Sequence, residues 1–182
     1  MSPLATIRNW LRPAPEQLVA RRLFDAVMSE ARRPEYYMTG GVADTVDGRF
    51  DLVVLHLFLV MRRLKSEGAE GRDLGQRLFD IAFANFDEAL REMGVGDLSV
   101  PKKVRKMAEA FYGRVDAYQK AFDGGDAALD EALRRNLYRI NPVGEGSVAW
   151  ARAQIVTFER RLAASTRAVL LTGNVAALEP AA

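Results

Sequence analysis

Apolar residues recur along most of this chain at spacings of three and four, the signature of helices that each bury one face. At the start, Ser2 and Pro3 stand where an N-cap and a first helical residue belong, and Leu4, Ile7, Trp10 and Leu11 group apart from Arg8 and Arg12. A short amphipathic segment is predicted over residues 1–14. A second helix is expected from Pro15, with Ala20, Leu23, Phe24, Val27, Met28 and Ala31 as its stripe and Pro34 as its end. From Pro34 to Gly48 the sequence PEYYMTGGVADTVDG has no helical period and reads as a long loop. Arg49 to Leu64 is apolar nearly throughout, so a helix there must be buried on most sides, and the charged, glycine-rich stretch Lys65 to Asp73 should follow it as a connection.

The next helix sets Leu74, Leu78 and Ile81 beside Phe79, Phe83, Phe86 and Leu90 and stops at Met93-Gly94. After the turn GVGDLSV, Ser99 is expected to cap a helix with Pro101 in its first turn and the apolar line Val100, Val104, Met107, Phe111, Val115, Tyr118 and Phe122. Asp123-Gly124-Gly125 breaks it, Asp126 should cap a shorter helix carrying Leu129, Leu133 and Leu137, and Asn141-Pro142 closes that. One long last helix is expected from near Ser147 to Gly173, with Asn174 to Ala182 as a flexible tail. Strand-like alternation is missing throughout, and no segment repeats. The predicted fold is therefore all-α, a single-domain irregular bundle of about six to eight helices with its helical domain at 15–173.

Composition narrows the chemistry. With 182 residues, 49% hydrophobic and 27% charged, the chain can build one core and is neither disordered nor collagen-like. Twenty-six basic against 24 acidic residues leave +2, which does not demand a nucleic-acid partner, and no DNA partner is expected. The absence of cysteine removes disulfides, iron–sulfur clusters and thiol nucleophiles. His56 is the only histidine, so a multi-histidine metal site is impossible, and with Val53 to Leu55 and Leu57 to Leu59 around it, a hydrogen-bonded core role is expected. Asp44 and Asp47 lack the ligand spacing of a calcium loop and should cap the turn into the buried helix. Gly94-Val95-Gly96 follows a helix and lacks a third glycine, unlike a dinucleotide loop. No cofactor, metal or catalytic role is predicted.

The N-terminus has no signal-peptide core, because Arg8 and Arg12 interrupt it, and Leu52 to Met61 is far shorter than the roughly 20 residues that cross a bilayer. A cytoplasmic location is expected, with Trp10 and its flanking arginines offering a peripheral contact at the inner face of the cytoplasmic membrane. The strongest charge feature is PKKVRK at Pro101 to Lys106. Cations at a helix N-terminus oppose the macrodipole, so an anionic partner is one explanation and a solvated face the other. An RNA- or ribosome-binding module using the basic helix at 102–114 is the first rival reading, and an enzyme using His56 or the Asp44/Asp47 loop is the second. Tyr36, Tyr37 and Tyr112 suit either interface anchors or packing.

Two stretches, DTVDGRFDLVVLHLFLVMRR at Asp44 to Arg63 and REMGVGDLSVPKKVRKMAEAFYGR at Arg91 to Arg114, resemble the ubiquinol-cytochrome c reductase assembly chaperones, and LFDIAFANFDEAL between them fits as well. The likeness extends from about residue 20 to residue 140. It implies a helical, non-enzymatic assembly factor, without cofactor, that binds newly made cytochrome b and assists its maturation into complex III. With no long N-terminal targeting extension, a bacterial member is implied; mitochondrial members add a ribosome contact and a small partner protein. The residues assigned to the client or partner surface are Tyr37, Asp47, Arg49, Phe50, Lys102, Lys103, Lys106, Tyr112 and Arg114. The expected mechanism is holding without turnover, in a groove of aromatic and methionine side chains with a basic rim.

Overall fold

The computed structural model describes residues 14–173, so the amphipathic segment with Trp10 and the C-terminal tail lie outside the described residues. Within them the chain forms α1 (Pro15–Ala31), α2 (Pro34–Met38), α3 (Val46–Lys65), α4 (Gly68–Glu92), α5 (Val100–Gly124), α6 (Asp126–Asn136), α7 (Glu145–Ala164) and α8 (Arg167–Thr172), with no strand among them. The all-α bundle expected from the periodicity is the architecture observed.

α3 is its axis. Every residue from Asp51 to Val60 is buried, because α1, α4, α5 and α7 pack around it. Burying a Leu, Val or Phe side chain contributes about 1.5 to 3 kcal/mol, which makes this one helix the largest source of hydrophobic stabilisation. Thr45 starts it, accepting a hydrogen bond from the Gly48 N–H at 3.1 Å. Gly48 is required because a Cβ there would collide with the Ala43 carbonyl. No described helix is long and apolar enough to cross a membrane.

Several expected boundaries are corrected. The stretch Pro34 to Gly48 is not all loop: Pro34 starts α2, and α3 begins at Val46, three residues before the expected Arg49. A five-residue helix is too short to display a period, and what holds it is Tyr36, fully buried with its hydroxyl 3.1 Å from His56 Nε2. Lys65 to Asp73 is mostly helix, since α4 begins at Gly68 and only Ser66 and Glu67 connect. Its charge belongs to an exposed first turn tied down from outside, where Arg167 donates to the Glu67 carbonyl and to Glu70, each at 2.6 Å.

The capping assignments also change. Thr45, not Asp44 or Asp47, caps α3; Asp44 pairs with Arg49 and Asp47 with Arg139. Ser99 occupies the N-cap position of α5 without a side-chain cap bond. Asp126 is the first residue of α6, preceded by Gly125 at φ +84°, and its carboxylate pairs with Arg152 instead. The expected single last helix is two: Ser165 turns extended, Thr166 caps α8 by accepting from the Val169 N–H at 3.3 Å, and Gly173 ends it at φ +64°. The break is stabilised where Arg63 donates to the Leu162 and Ser165 carbonyls at 3.1 and 2.9 Å.

Candidate functional site

A groove of about 520 Å³ opens where the starts of α3 and α5 meet the end of α4. Met28, Phe50, Phe86, Met93 and Met107 contribute apolar wall, and the thioethers give it side chains that can adapt to an irregular partner surface. The rim carries Arg32, Arg49, Lys103, Lys106, Arg114 and Arg139 against one acid, Asp47. Six of the nine residues assigned from the sequence, Asp47, Arg49, Phe50, Lys103, Lys106 and Arg114, thus come together here. Tyr112 is exposed in a second groove of about 270 Å³ on the same three helices. Lys102 is exposed but belongs to neither wall, and Tyr37 is half-buried, its hydroxyl donating to the Ala31 carbonyl at 3.2 Å.

The rim charges are not equivalent. Arg49 is paired with Asp44 at 2.6 Å and Arg139 with Asp47 at 3.6 Å. Arg114 reaches inward to Asp51 at 2.6 Å and lies over the Phe50 ring at 5.5 Å from its centroid. Arg32, Lys103 and Lys106 make no ion pair with any described residue, so the surplus positive charge is concentrated on the ends of α1 and α5. The first turn of α5 contains no acid, and its N-terminal dipole adds to that field.

Beneath the groove is a cluster the sequence reading missed. Asp51 is 1% exposed, and neither of its carboxylate oxygens has a well-aligned hydrogen bond. Burial pushes its carboxyl up to about 6, with Arg114 opposing the shift only in part. Tyr118 buries its hydroxyl nearby with no hydrogen-bond partner. The one available signal was an acid leading an otherwise apolar run; Arg114 was assigned to the surface, but nothing marked it as the partner of an acid far along the chain on another helix. Arg139, beyond the end of α6 and outside both family-like stretches, was not assigned at all.

His56 is placed as expected, fully buried in α3 and outside both grooves. Nδ1 lies 2.8 Å from the Leu52 carbonyl, which assigns it the proton, leaving Nε2 to accept from the Tyr36 hydroxyl. Burial holds the imidazole down at about 4. The unfolded chain therefore takes up this proton near 6.5 and the folded one only near 4, so stability falls as pH drops through that interval. His56→Gln should lose this part of the acid sensitivity; urea unfolding of both proteins at pH 4.5 and 7 measures it, and equal slopes would disprove it.

The continuous basic face needed for an RNA-binding surface is interrupted. Arg62 pairs with Glu159 at 3.3 Å, Arg63 pairs with Glu67 and two backbone carbonyls, and Arg114 is turned to Asp51. No group of three or more acids or histidines among the described residues could hold a metal ion.

Fold and groove together define the class: an all-helical bundle that presents an apolar, basic-rimmed groove between three of its helices. Residues 39–176 match the family model of the ubiquinol-cytochrome C chaperones, and the chain belongs to that family. It is 23% identical over 121 residues to ubiquinol-cytochrome-c reductase complex assembly factor 1 of Xenopus laevis, covering 66% of this chain and 60% of the frog protein. The mouse protein of that name is 22% identical over 122 residues, 67% of this chain and 41% of its own length. The match thus spans 60% of the frog relative and 41% of the mouse one, under two thirds of either. A solved structure, that of the Cbp3 homolog from Brucella abortus, superposes with a TM-score of 0.78 at 32% identity, covering 95% of this chain and 94% of that one.

Proposed function

We propose that this protein is an assembly chaperone of ubiquinol-cytochrome c reductase, holding newly made cytochrome b until it enters the complex. The observation that carries the reading is the family match over residues 39–176, the same part of the chain that builds most of the groove. The groove supplies what holding requires and turnover does not. Its apolar, methionine-rich wall covers exposed helix surface of a client, and Arg32, Lys103 and Lys106 draw in acidic client loops or anionic headgroups. Phe50, Asp47, Arg49 and Arg114 are the wall residues proposed to touch the client, with Lys102, Tyr112 and Tyr37 at greater distance. The reading puts this action at the inner face of the cytoplasmic membrane, where such a client would be inserted.

Deleting the gene should lower the steady-state level of cytochrome b and of the assembled complex, read from haem b absorbance and native electrophoresis of membranes. Restoring the gene should recover both. Normal cytochrome b accumulation in the deletion strain would sink the proposal.

A further inference from the structure

The smaller groove lies on α3, α4 and α5 toward the opposite end of α4 from the larger one. Phe58, Met61 and Phe111 give it an apolar base, Arg62, Lys65 and Arg72 contribute to its wall, and no acidic side chain does. Gly75 also lines it, at a point where a Cβ would meet no atom within 4 Å.

Rings join the two grooves. Tyr112 in the smaller one lies 5.9 Å from Phe79, which lies 4.3 Å from Phe83; Phe83 is 5.3 Å from Phe86 in the larger groove, and Phe86 is 5.3 Å from Phe50, all between centroids. Phe79 and Phe83 are only half-buried, so an apolar edge faces solvent between the grooves. Along α4, the step from Arg72 to Leu90 is about 27 Å at 1.5 Å per residue. That approaches the roughly 30 Å apolar length of a membrane-spanning helix.

Charge follows the same plan. Lys65 and Arg72 at one end, and Arg32, Lys103 and Lys106 at the other, make no ion pair with described residues, while the rings between carry none. The complementary occupant is apolar in the middle and acidic at its ends.

We propose that both grooves and the line of rings between them form one track for a single apolar helix of about 18 residues with acidic side chains near each end. The proposal rests on the holding role above and specifies the segment held. It also gives Tyr112 a place in the site, at the far end of the track from Lys103.

The probe is a labelled synthetic helix of leucine and alanine, about 18 residues long with a glutamate pair at each end, titrated against the full chain in dilute neutral detergent. A half-length peptide with one glutamate pair, filling only the larger groove, is its comparison. The long peptide should bind at least about tenfold more tightly, and Gly75→Leu or Lys65→Glu with Arg72→Glu should remove that advantage while leaving the short peptide unchanged. Circular dichroism checks the fold, and the surface reversal decides the matter if Gly75→Leu does not fold. Long-peptide binding untouched by these variants but weakened by Lys103→Glu with Lys106→Glu overturns the track and leaves the holding role standing. Binding insensitive to every one of these changes overturns both, and equal binding of a glutamine-ended peptide overturns the acidic ends.

Discussion

Replacing Arg114 with methionine should lower the free energy of unfolding by about 1 to 3 kcal/mol at pH 7, because it leaves the Asp51 carboxyl in the interior with neither a counter-charge nor a donor and forces it to give up its charge. Asp51 is 1% exposed and Arg114 lies 2.6 Å from it. The pH dependence gives a second reading of the same event. Asp51 titrates at about 6 in the folded protein against an ordinary 3.8, so its contribution to stability is fully present below about 4 and is lost as pH rises through about 6. Removing Arg114 raises that carboxyl further, so the deficit of the variant should shrink between pH 7 and pH 5. The double variant Asp51→Leu with Arg114→Met should recover most of the loss, since an apolar pair of similar volume replaces a desolvated ion pair at little cost. Urea unfolding of the three proteins at both pH values is the measurement. A deficit below about 1 kcal/mol at pH 7, or one that is the same at both pH values, would show that the pair is solvated.

In the same interval His56 acts with the opposite sign, losing stability as pH falls toward 4. The two groups occupy one helix, five residues apart, and their slopes offset each other. The unmodified protein should therefore have a flatter stability profile between pH 4 and 6.5 than a variant lacking either group.

Whether an element was legible in the sequence depended on its length and on which side of it was buried. α3, α4, α5 and α7 present enough turns for an apolar face to show its period, and these were found, with α7 run on into α8. α2 could not be found that way, because its five residues are held by Tyr36 against His56, a contact between helices that no local pattern encodes. The division of α7 from α8 was hidden for a related reason. Leu162 and Val169 keep a helical spacing across the break, while its cause, Arg63 reaching from α3 to the Leu162 and Ser165 carbonyls, lies about a hundred positions away.

The site divided along similar lines. Basic and aromatic residues of the two family-like stretches were legible by type, and six of the nine line one groove. Their pairing was not. Nothing local to Arg114 reveals that its charge is committed to Asp51, or that Arg49 and Arg139 are neutralised by Asp44 and Asp47. The residues whose charge no described acid pairs, Arg32, Lys103 and Lys106, were identifiable only once the acids around them had been located.

That distinction yields the second large effect. Lys103→Glu with Lys106→Glu should cut recovery of cytochrome b on the tagged protein by roughly thirtyfold, because each change replaces an attraction at the groove with a repulsion. Lys102→Glu alone should change recovery by less than about twofold, since Lys102 is outside the groove wall although it belongs to the same basic run. Unfolding cannot mimic this result. An acid in the first turn of a helix is favoured by the macrodipole by about 0.3 to 1 kcal/mol, so Lys103→Glu should leave α5 at least as stable as before. Capture lost at unchanged or raised stability, and weakened further at low salt where the repulsion is least screened, is the expected pattern. Recovery falling equally for Lys102→Glu and for the Lys103 and Lys106 pair would mean that the field of the whole helix start draws the client, and that the groove does not select it.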